Sequence, residues 1–259
     1  MDEAVKVLAQ QMVKKIDRKI RREIKVNFVK MGRTIDIGAD GTPTKMIDRL
    51  AEEVSLKTLK KSEVTVNLLS EEAGFIDNHA EYTFVLDPVD GTRNASRGVP
   101  FFSVSLAVGR HSLSDVEYGI VKNVSTGDMY VAEAGMGAYC NKNHILVPDV
   151  AAREPVFAVT LGKRCESKTL DMLKNSVVRS LGAASLEMCL VGTGALDAYI
   201  VDREYMRVTD IAASTLFLRE AGGFVTDLHG DSLDMILSLD ERTSVIAAGN
   251  MDLVERLIR

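Results

Sequence analysis

The chain predicts an α/β protein with an antiparallel middle, an α+β arrangement, and three observations carry that reading. Helical and strand patterns alternate along all 259 residues, without low-complexity segments or internal repeats. Two short apolar strands run straight into acidic residues, at Glu71 and at Asp87. Between residues 101 and 133 short strands follow one another directly, separated by glycine and polar turns, as in an antiparallel sheet.

The elements follow in order. From Glu3 to Ile24, Val5, Leu8, Met12, Ile16 and Ile20 recur at spacings of three and four, giving an amphipathic helix. Its basic run from Lys14 to Lys25 is interrupted by Asp17 and Glu23, so it reads as a solvated face rather than an anion-binding one. Gly32, Gly38, Gly41 and Pro43, with Asp36 and Asp40, mark residues 30–45 as a flexible loop. A second helix spans about 44–61, with Thr44 as its cap and Asp48 in its first turns. A strand from Val64 to Ser70 then leads into Glu71-Glu72-Ala73-Gly74.

The run Tyr82 to Leu86 is a buried strand that delivers Asp87 at its end, where Pro88 stops it. Strands follow at Phe101 to Gly109, Val116 to Asn123 and Asp128 to Glu133. Past Asn143 the pattern returns to α/β, with a strand near Val156 to Leu161 and helices near Ser167 to Lys174 and Ala184 to Val191. Pro148 and Pro155 bracket a boundary between an N-terminal subdomain, 1–150, and a C-terminal one, 151–259. A strand from Ala195 to Val201 precedes Asp202-Arg203, and a helix follows that Thr209 caps, Asp210 opens and Gly222-Gly223 ends.

Composition narrows the function. The formal charge, 32 − 37 = −5, gives no basic footprint for nucleic acid. No apolar run approaches about 18 residues and no secretory pattern opens the chain, so no membrane partner and a cytoplasmic location are expected. Cys140, Cys165 and Cys189 are too few and too scattered for a disulfide framework or a zinc site, and read as buried small hydrophobes. His79, His111, His144 and His229 are isolated loop or surface residues, and the glycines match neither dinucleotide nor Walker patterns.

The most informative stretch is Asp87-Pro88-Val89-Asp90-Gly91-Thr92-Arg93-Asn94. Asp87, Asp90 and the Val89 carbonyl offer the hard oxygen ligands that Mg²⁺ takes. Gly91 permits close backbone approach, and the amides of Gly91, Thr92 and Arg93 open a helix whose positive end attracts phosphate. An ordinary Asp-Pro-Asp-Gly turn explains the same residues equally well when the stretch is taken alone.

Taken with Glu71-Glu72 and Asp210-Ile211-Ala212-Ala213, the motif resembles the inositol monophosphatase family, within the metal-dependent, lithium-sensitive sugar phosphatases. The likeness extends to Gly135-Met136-Gly137-Ala138-Tyr139-Cys140-Asn141 and Glu220-Ala221-Gly222-Gly223. Asp40-Gly41-Thr42-Pro43-Thr44-Lys45, Leu186-Glu187-Met188-Cys189 and the spacing of Asp202 and Arg207 are similar to archaeal members that act on inositol 1-phosphate and fructose 1,6-bisphosphate, a step of gluconeogenesis. The resemblance implies a layered αβαβα sandwich, a homodimer, and two to three Mg²⁺ ions per site, with Mn²⁺ as a substitute. It assigns Glu71, Asp87 and the Val89 carbonyl to the first ion and Asp87, Asp90 and Asp210 to the second. Thr92 and a loop acid would position the attacking water; Asp40 is the first choice for that acid and Asp48 its competitor.

For the sugar, the resemblance points to Asp90, Ala183, Glu187 and Asp210, and to Arg203. Inositol-specialised relatives have an acid seven residues before the metal-binding Asp, where this chain has Arg203. A guanidinium cannot accept a hydrogen bond but readily binds phosphate, which favours a bisphosphate; Arg203 paired with Asp202 or Glu204 is the rival account. Two alternatives remain at this stage, a 3′-phosphoadenosine 5′-phosphate phosphatase and a catalytically silent, ligand-binding or regulatory protein.

Overall fold

The computed structural model describes residues 1–39, 43–148, 154–160, 173–174 and 176–258. Helix α1, Glu3–Met31, starts at Asp2, whose side chain accepts from the Ala4 amide at 2.9 Å, and continues past Ile24 until Gly32, since no breaker intervenes. The loop expected at 30–45 instead carries a two-stranded hairpin, β1 Thr34–Ile37 and β2 Pro43–Lys45. Helix α2, Met46–Lys60, is capped not by Thr44 but from within, because Asp48 accepts from the Lys45 amide at 2.9 Å. The Thr44 hydroxyl donates to Glu72 instead, tying the hairpin to the acidic turn.

The large sheet contains β3 Asn67–Ser70, β4 Gly74–Ile76, β5 Thr83–Asp90, β6 Ser103–Gly109, β7 Tyr118–Asn123, β8 Met129–Glu133, β9 Gly137–Cys140 and β10 Asn143–Ile145. Its order is β10-β9-β8-β7-β6-β5-β3-β4, antiparallel except for the β3–β5 pair. Pro88 does not end its strand: β5 runs on to Asp90. Opposite β6, Asp87 faces Ser105 and Asp90 faces Ser103, so the ladder slips between them. Pro88, with no N–H to give, sits within this bulge, where a ladder tolerates it. The turn that follows leads into α3, Thr92–Ala95.

The smaller sheet comprises β11 Val156–Thr160, β12 Val177–Arg179, β13 Ala198–Met206, β14 Phe224–Thr226 and β15 Thr243–Ala248, in the order β12-β11-β13-β15-β14. Strand β13 passes straight through Asp202 and Arg203, where a loop was expected. Three further helices are α4 Ala184–Gly192, α5 Val208–Glu220 and α6 Met251–Leu257. Of the helix expected near 167–174 and the boundary near 145–155, residues 149–153 and 161–172 lie outside the described residues.

Strand alternation sorts these elements into layers. Leu68, Phe84, Leu86, Val104, Leu106, Val108 and Ile120 face α1 and α2, packing on Met12, Ile16, Ile20 and Ile47. Leu69, Val85, Ala107 and Val121 face the opposite way, into a core shared with α4, α5 and the inner side of the small sheet through Ala158, Tyr199 and Val201. Phe157, Val159, Ala198 and Ile200 project outward against Val254 and Leu257 of α6. Helix pair, sheet, helix pair, sheet and helix make the αβαβα sandwich.

Helix α5 is the middle of that stack, with every residue from Val208 to Leu218 buried. It approaches the large sheet where β7 has Gly119: a Cβ there would lie 2.8 Å from the Ala213 carbonyl oxygen and 3.1 Å from its Cα. The obstacle is helix backbone, which cannot rotate aside. Gly119→Ala is therefore expected to lower unfolding free energy by about 1–3 kcal/mol through overpacking, measured by urea denaturation; an unchanged midpoint would show that α5 can shift freely.

Candidate active site

Three secondary-structure ends converge where the large sheet meets α5. Glu71 follows β3, Asp87 and Asp90 lie on either side of the β5 bulge, and Asp210 occupies the first turn of α5. Each of Glu71, Asp87 and Asp210 offers one carboxylate oxygen within 4.8 Å of the others. These three, with Asp90 near enough to interact by charge with Asp87 and Asp210, come from positions up to 139 residues apart, 210 − 71.

Local contacts explain how each is aimed. The Asp87 carboxylate accepts from the Val89 amide at 2.9 Å, folding the bulge back on itself. Asp90 accepts from the Ala184 amide at 3.1 Å and from the Ser185 amide and hydroxyl at 2.9 and 2.5 Å, with the Ser103 hydroxyl at 3.2 Å. Asp210 accepts from the Arg207 amide at 2.9 Å, so Arg207 rather than Thr209 is the cap residue of α5. The Thr209 hydroxyl is turned instead to Glu71, at 3.1 Å.

Electrostatics set the character of the site. Burial, then the charges of Asp87 and Asp210, holds Glu71 well above the usual carboxylate range; burial, then Asp90 and Asp210, does the same to Asp87. Asp90 rises less, to about 6, because burial is offset by its Ser185 and Ser103 donors. The Arg207 guanidinium reaches into this group, 2.9 Å from Glu71 and 3.2 Å from Asp210. Burial opposes its charge, but those carboxylates outweigh it and raise its pKa. A dense set of buried carboxylate oxygens with one guanidinium among them fits a hard divalent cation, which takes such ligands and reverses their repulsion.

Beside the cluster, the Thr92 hydroxyl lies 2.9 Å from both the Asp48 carboxylate and the Val89 carbonyl. Asp48 therefore stands next to Thr92 although 44 residues separate them, while Asp40 lies outside the described residues. Burial pushes Asp48 up to about 7, against the lowering effect of its Lys45 and Thr92 hydrogen bonds. Gly91 opens α3 at φ 87°, and a Cβ there would come within 3.1 Å of Ala183 and the Gly182 carbonyl. The phosphate-side turn of Gly91, Thr92 and Arg93 is thus in contact with the loop before α4.

The sugar-side candidates fall into different places. Ala183 is buried against Gly91. Arg203 lies in β13, its Nε 3.4 Å from Asp202, the pairing that was the rival account. Glu187 is 0% exposed rather than on an open helix face, and its carboxylate accepts from the amides of Leu181, Gly182 and Ala183. Burial pushes it up to about 7. Two blocks of the resemblance also meet: Glu220 accepts from the Gly135 and Gly137 amides, at 2.8 Å each.

Sequence reasoning missed that Arg207, Thr209, Ser103 and Ser185 orient the acids: Thr209 was read as a helix cap, and Arg207 entered only through its spacing from Asp202. Only the short spacing from Arg207 to Asp210 was a usable signal for any of them.

Comparison with known proteins agrees. A sequence model described as the inositol monophosphatase family matches residues 1–259. A fructose-1,6-bisphosphatase/inositol-1-monophosphatase from Methanothermobacter thermautotrophicus is 39% identical, over 88% of this chain and 86% of that protein. A bifunctional NADP phosphatase/NAD kinase from Methanococcus maripaludis is 36% identical over 93% of this chain, but only 47% of that protein is covered. A crystal structure described as inositol monophosphatase-fructose 1,6 bisphosphatase superposes with a TM-score of 0.86 at 34% identity, covering 96% of this chain and 98% of that one.

Raised carboxylates make stability pH-dependent in a defined direction. Asp48 and Glu187 at about 7 and Asp90 at about 6 bind protons more tightly folded than unfolded, so they stabilise fully below about 4 and lose that contribution as pH rises through 6 to 7. Chelator-treated protein should therefore melt at a lower temperature at pH 8 than at pH 6, and divalent cation should narrow the gap. A melting temperature that rises over this interval without metal would contradict the burial of these acids.

Proposed function

The chain belongs to the inositol monophosphatase family, and from that premise we propose that it is a Mg²⁺-dependent phosphomonoester hydrolase acting on both fructose 1,6-bisphosphate and inositol 1-phosphate. The observation that carries the proposal is the convergence of Glu71, Asp87 and Asp210 beside the Thr92–Asp48 pair. Glu71, Asp87 and the Val89 carbonyl would hold one ion, and Asp87, Asp90 and Asp210 a second. Bound there, the ions polarise the attacking water and stabilise the leaving oxygen.

The protein's own groups do the rest. Asp48, with a proton affinity matched to neutral pH, takes the proton of the attacking water through the Thr92 hydroxyl, which lies between it and the Val89 carbonyl. The Gly91 turn and the amides of Thr92 and Arg93 orient the phosphate. Ser103, Ser185 and the Ala184 amide keep Asp90 aimed while leaving it ionisable. Arg203 would select a substrate with a second anionic group only by leaving the Asp202 pairing it has in β13.

A nucleotide substrate is the second reading, favoured by the NADP phosphatase likeness over 93% of this chain. Phosphate release from fructose 1,6-bisphosphate, inositol 1-phosphate, NADP and 3′-phosphoadenosine 5′-phosphate, with Mg²⁺, Mn²⁺ and added Li⁺, separates the readings. The sugar phosphates should be cleaved fastest; a preference for either nucleotide overturns the assignment.

Two variants test the mechanism. Asp90→Asn should lower turnover by about a thousandfold, roughly 4 kcal/mol of barrier, with the fold retained by circular dichroism. Asp48→Asn should cost about a hundredfold and remove the loss of activity expected below pH 7 in the unmodified protein, the pattern of a missing general base. Unaltered turnover in the first, or an unchanged acid limb in the second, would remove that residue from its role.

A further inference from the structure

Five consecutive backbone amides, 181 to 185, divide themselves between two buried carboxylates from different parts of the chain. Glu187 takes the first three, from Leu181 at 2.9 Å, Gly182 at 3.2 Å and Ala183 at 3.3 Å. Asp90 takes the next two, from Ala184 at 3.1 Å and Ser185 at 2.9 Å. The other side of the loop is held as well: the Asn94 side-chain amide donates to the Leu181 carbonyl at 2.7 Å and to the Phe101 carbonyl at 2.8 Å. Gly182 adopts φ 85°, and a Cβ on it would meet the Asn94 amide at 3.2 Å. Side chains from β5, α3 and α4 therefore fix both edges of one short loop.

The arrangement has an electrostatic logic. A helix opens with unpaired N–H groups, and a carboxylate is the strongest acceptor for them. Here the amides at the start of α4 already belong to Asp90. Glu187, from the first turn of that same helix, reaches back and satisfies the amides preceding them. Without it, the amides of Leu181, Gly182 and Ala183 lose their shared acceptor, that of Ala183 while buried, and the loop must turn to find others. Any such turn rotates the peptide planes of Ala184 and Ser185, on which the aim of Asp90 depends.

We infer that Glu187 is a positioning residue rather than a substrate contact: by anchoring amides 181 to 183 it locks the sugar-side loop to Asp90, so that the pocket and the catalytic centre move as one body. Two consequences are distinctive. Removing Glu187 loosens amides it does not touch, those of Ala184 and Ser185. It also affects capture of substrate and metal more than the chemical step, because Asp90 and the other acids remain present. The kinetic consequence rests on the phosphatase reading; the structural one does not.

Amide hydrogen exchange by NMR on the full chain, with Glu187→Gln and Glu187→Ala, tests the inference. In the Ala variant all five amides should exchange at least about tenfold faster, while β13 and β15 keep their protection. The Gln variant, isosteric and retaining one acceptor oxygen, should be intermediate, and it serves if the Ala variant fails to fold. In phosphate release, KM and the Mg²⁺ concentration for half-maximal rate should rise by about tenfold, the effect of roughly one lost hydrogen bond, with kcat at saturation changed less than about threefold. Unchanged exchange at Ala184 and Ser185, protection lost across the whole sheet, or a fall in kcat alone would each overturn it. Should wild-type protein release phosphate from no compound in the panel, the functional reading fails and the exchange pattern alone decides the role of Glu187.

Discussion

Repulsion among buried carboxylates is the constraint around which this molecule is arranged. Glu71, Asp87, Asp90 and Asp210 are brought close where the layers meet, and at distances of a few ångströms each like-charged pair costs roughly 1 to 4 kcal/mol between bulk-water and surface-like dielectrics. The surrounding residues answer that cost by donating. Arg207 and Thr209 face Glu71, Arg207 also faces Asp210, the Val89 amide faces Asp87, and Ser103, Ala184 and Ser185 face Asp90. These donors hold the acids in place but leave part of their charge uncompensated, so the cluster is of the kind that could hold a cation.

The fold supplies the rigidity that such crowding needs. Glu71 directly follows β3, Asp87 and Asp90 flank the bulge of β5, and Asp210 lies in the first turn of α5, all of them elements packed into the core. Asp210 is carried by α5, which both sheets enclose, and its closest approach to the large sheet depends on the missing side chain of Gly119. The bulge in β5 does something a regular strand cannot: it sets Asp87 and Asp90, three residues apart, opposite ladder partners that are only two apart.

Much of this was legible in the sequence, and the reason is chemical. Asp87, Asp90, Glu71 and Asp210 lie in short motifs whose residue types have few other uses in combination. Periods of two and of three to four gave the individual strands and helices, while their stacking into an αβαβα sandwich came from the family resemblance. What escaped was long-range or context-dependent. The turn chemistry of Pro88 suggested a strand end, but the neighbouring ladder carried β5 onward as a bulge. Thr44 and Thr209 are good cap residues by type, yet their hydroxyls are drawn to Glu72 and Glu71. Glu187 is a charged residue on a short helix, and nothing local announces that it is fully buried with three amides as partners. Asp48 and Thr92 are 44 residues apart, and only the packing of α2 against β5 makes them neighbours.

The enclosure of α5 also sets an order of assembly. A chain emerging from its N-terminus can complete α1, α2 and most of the large sheet from its first 145 residues, and these already contain Glu71, Asp87 and Asp90. Their principal guanidinium partner, Arg207, and the amides of Ala184 and Ser185 arrive later. Until α4 and α5 dock, the half-built molecule has an uncovered apolar sheet face beside three acids that still lack Arg207 and the Ala184 and Ser185 amides. Charged groups beside an apolar face make it a poorer template for other unfinished chains, so the acids of the cluster would serve that purpose before the fold is complete.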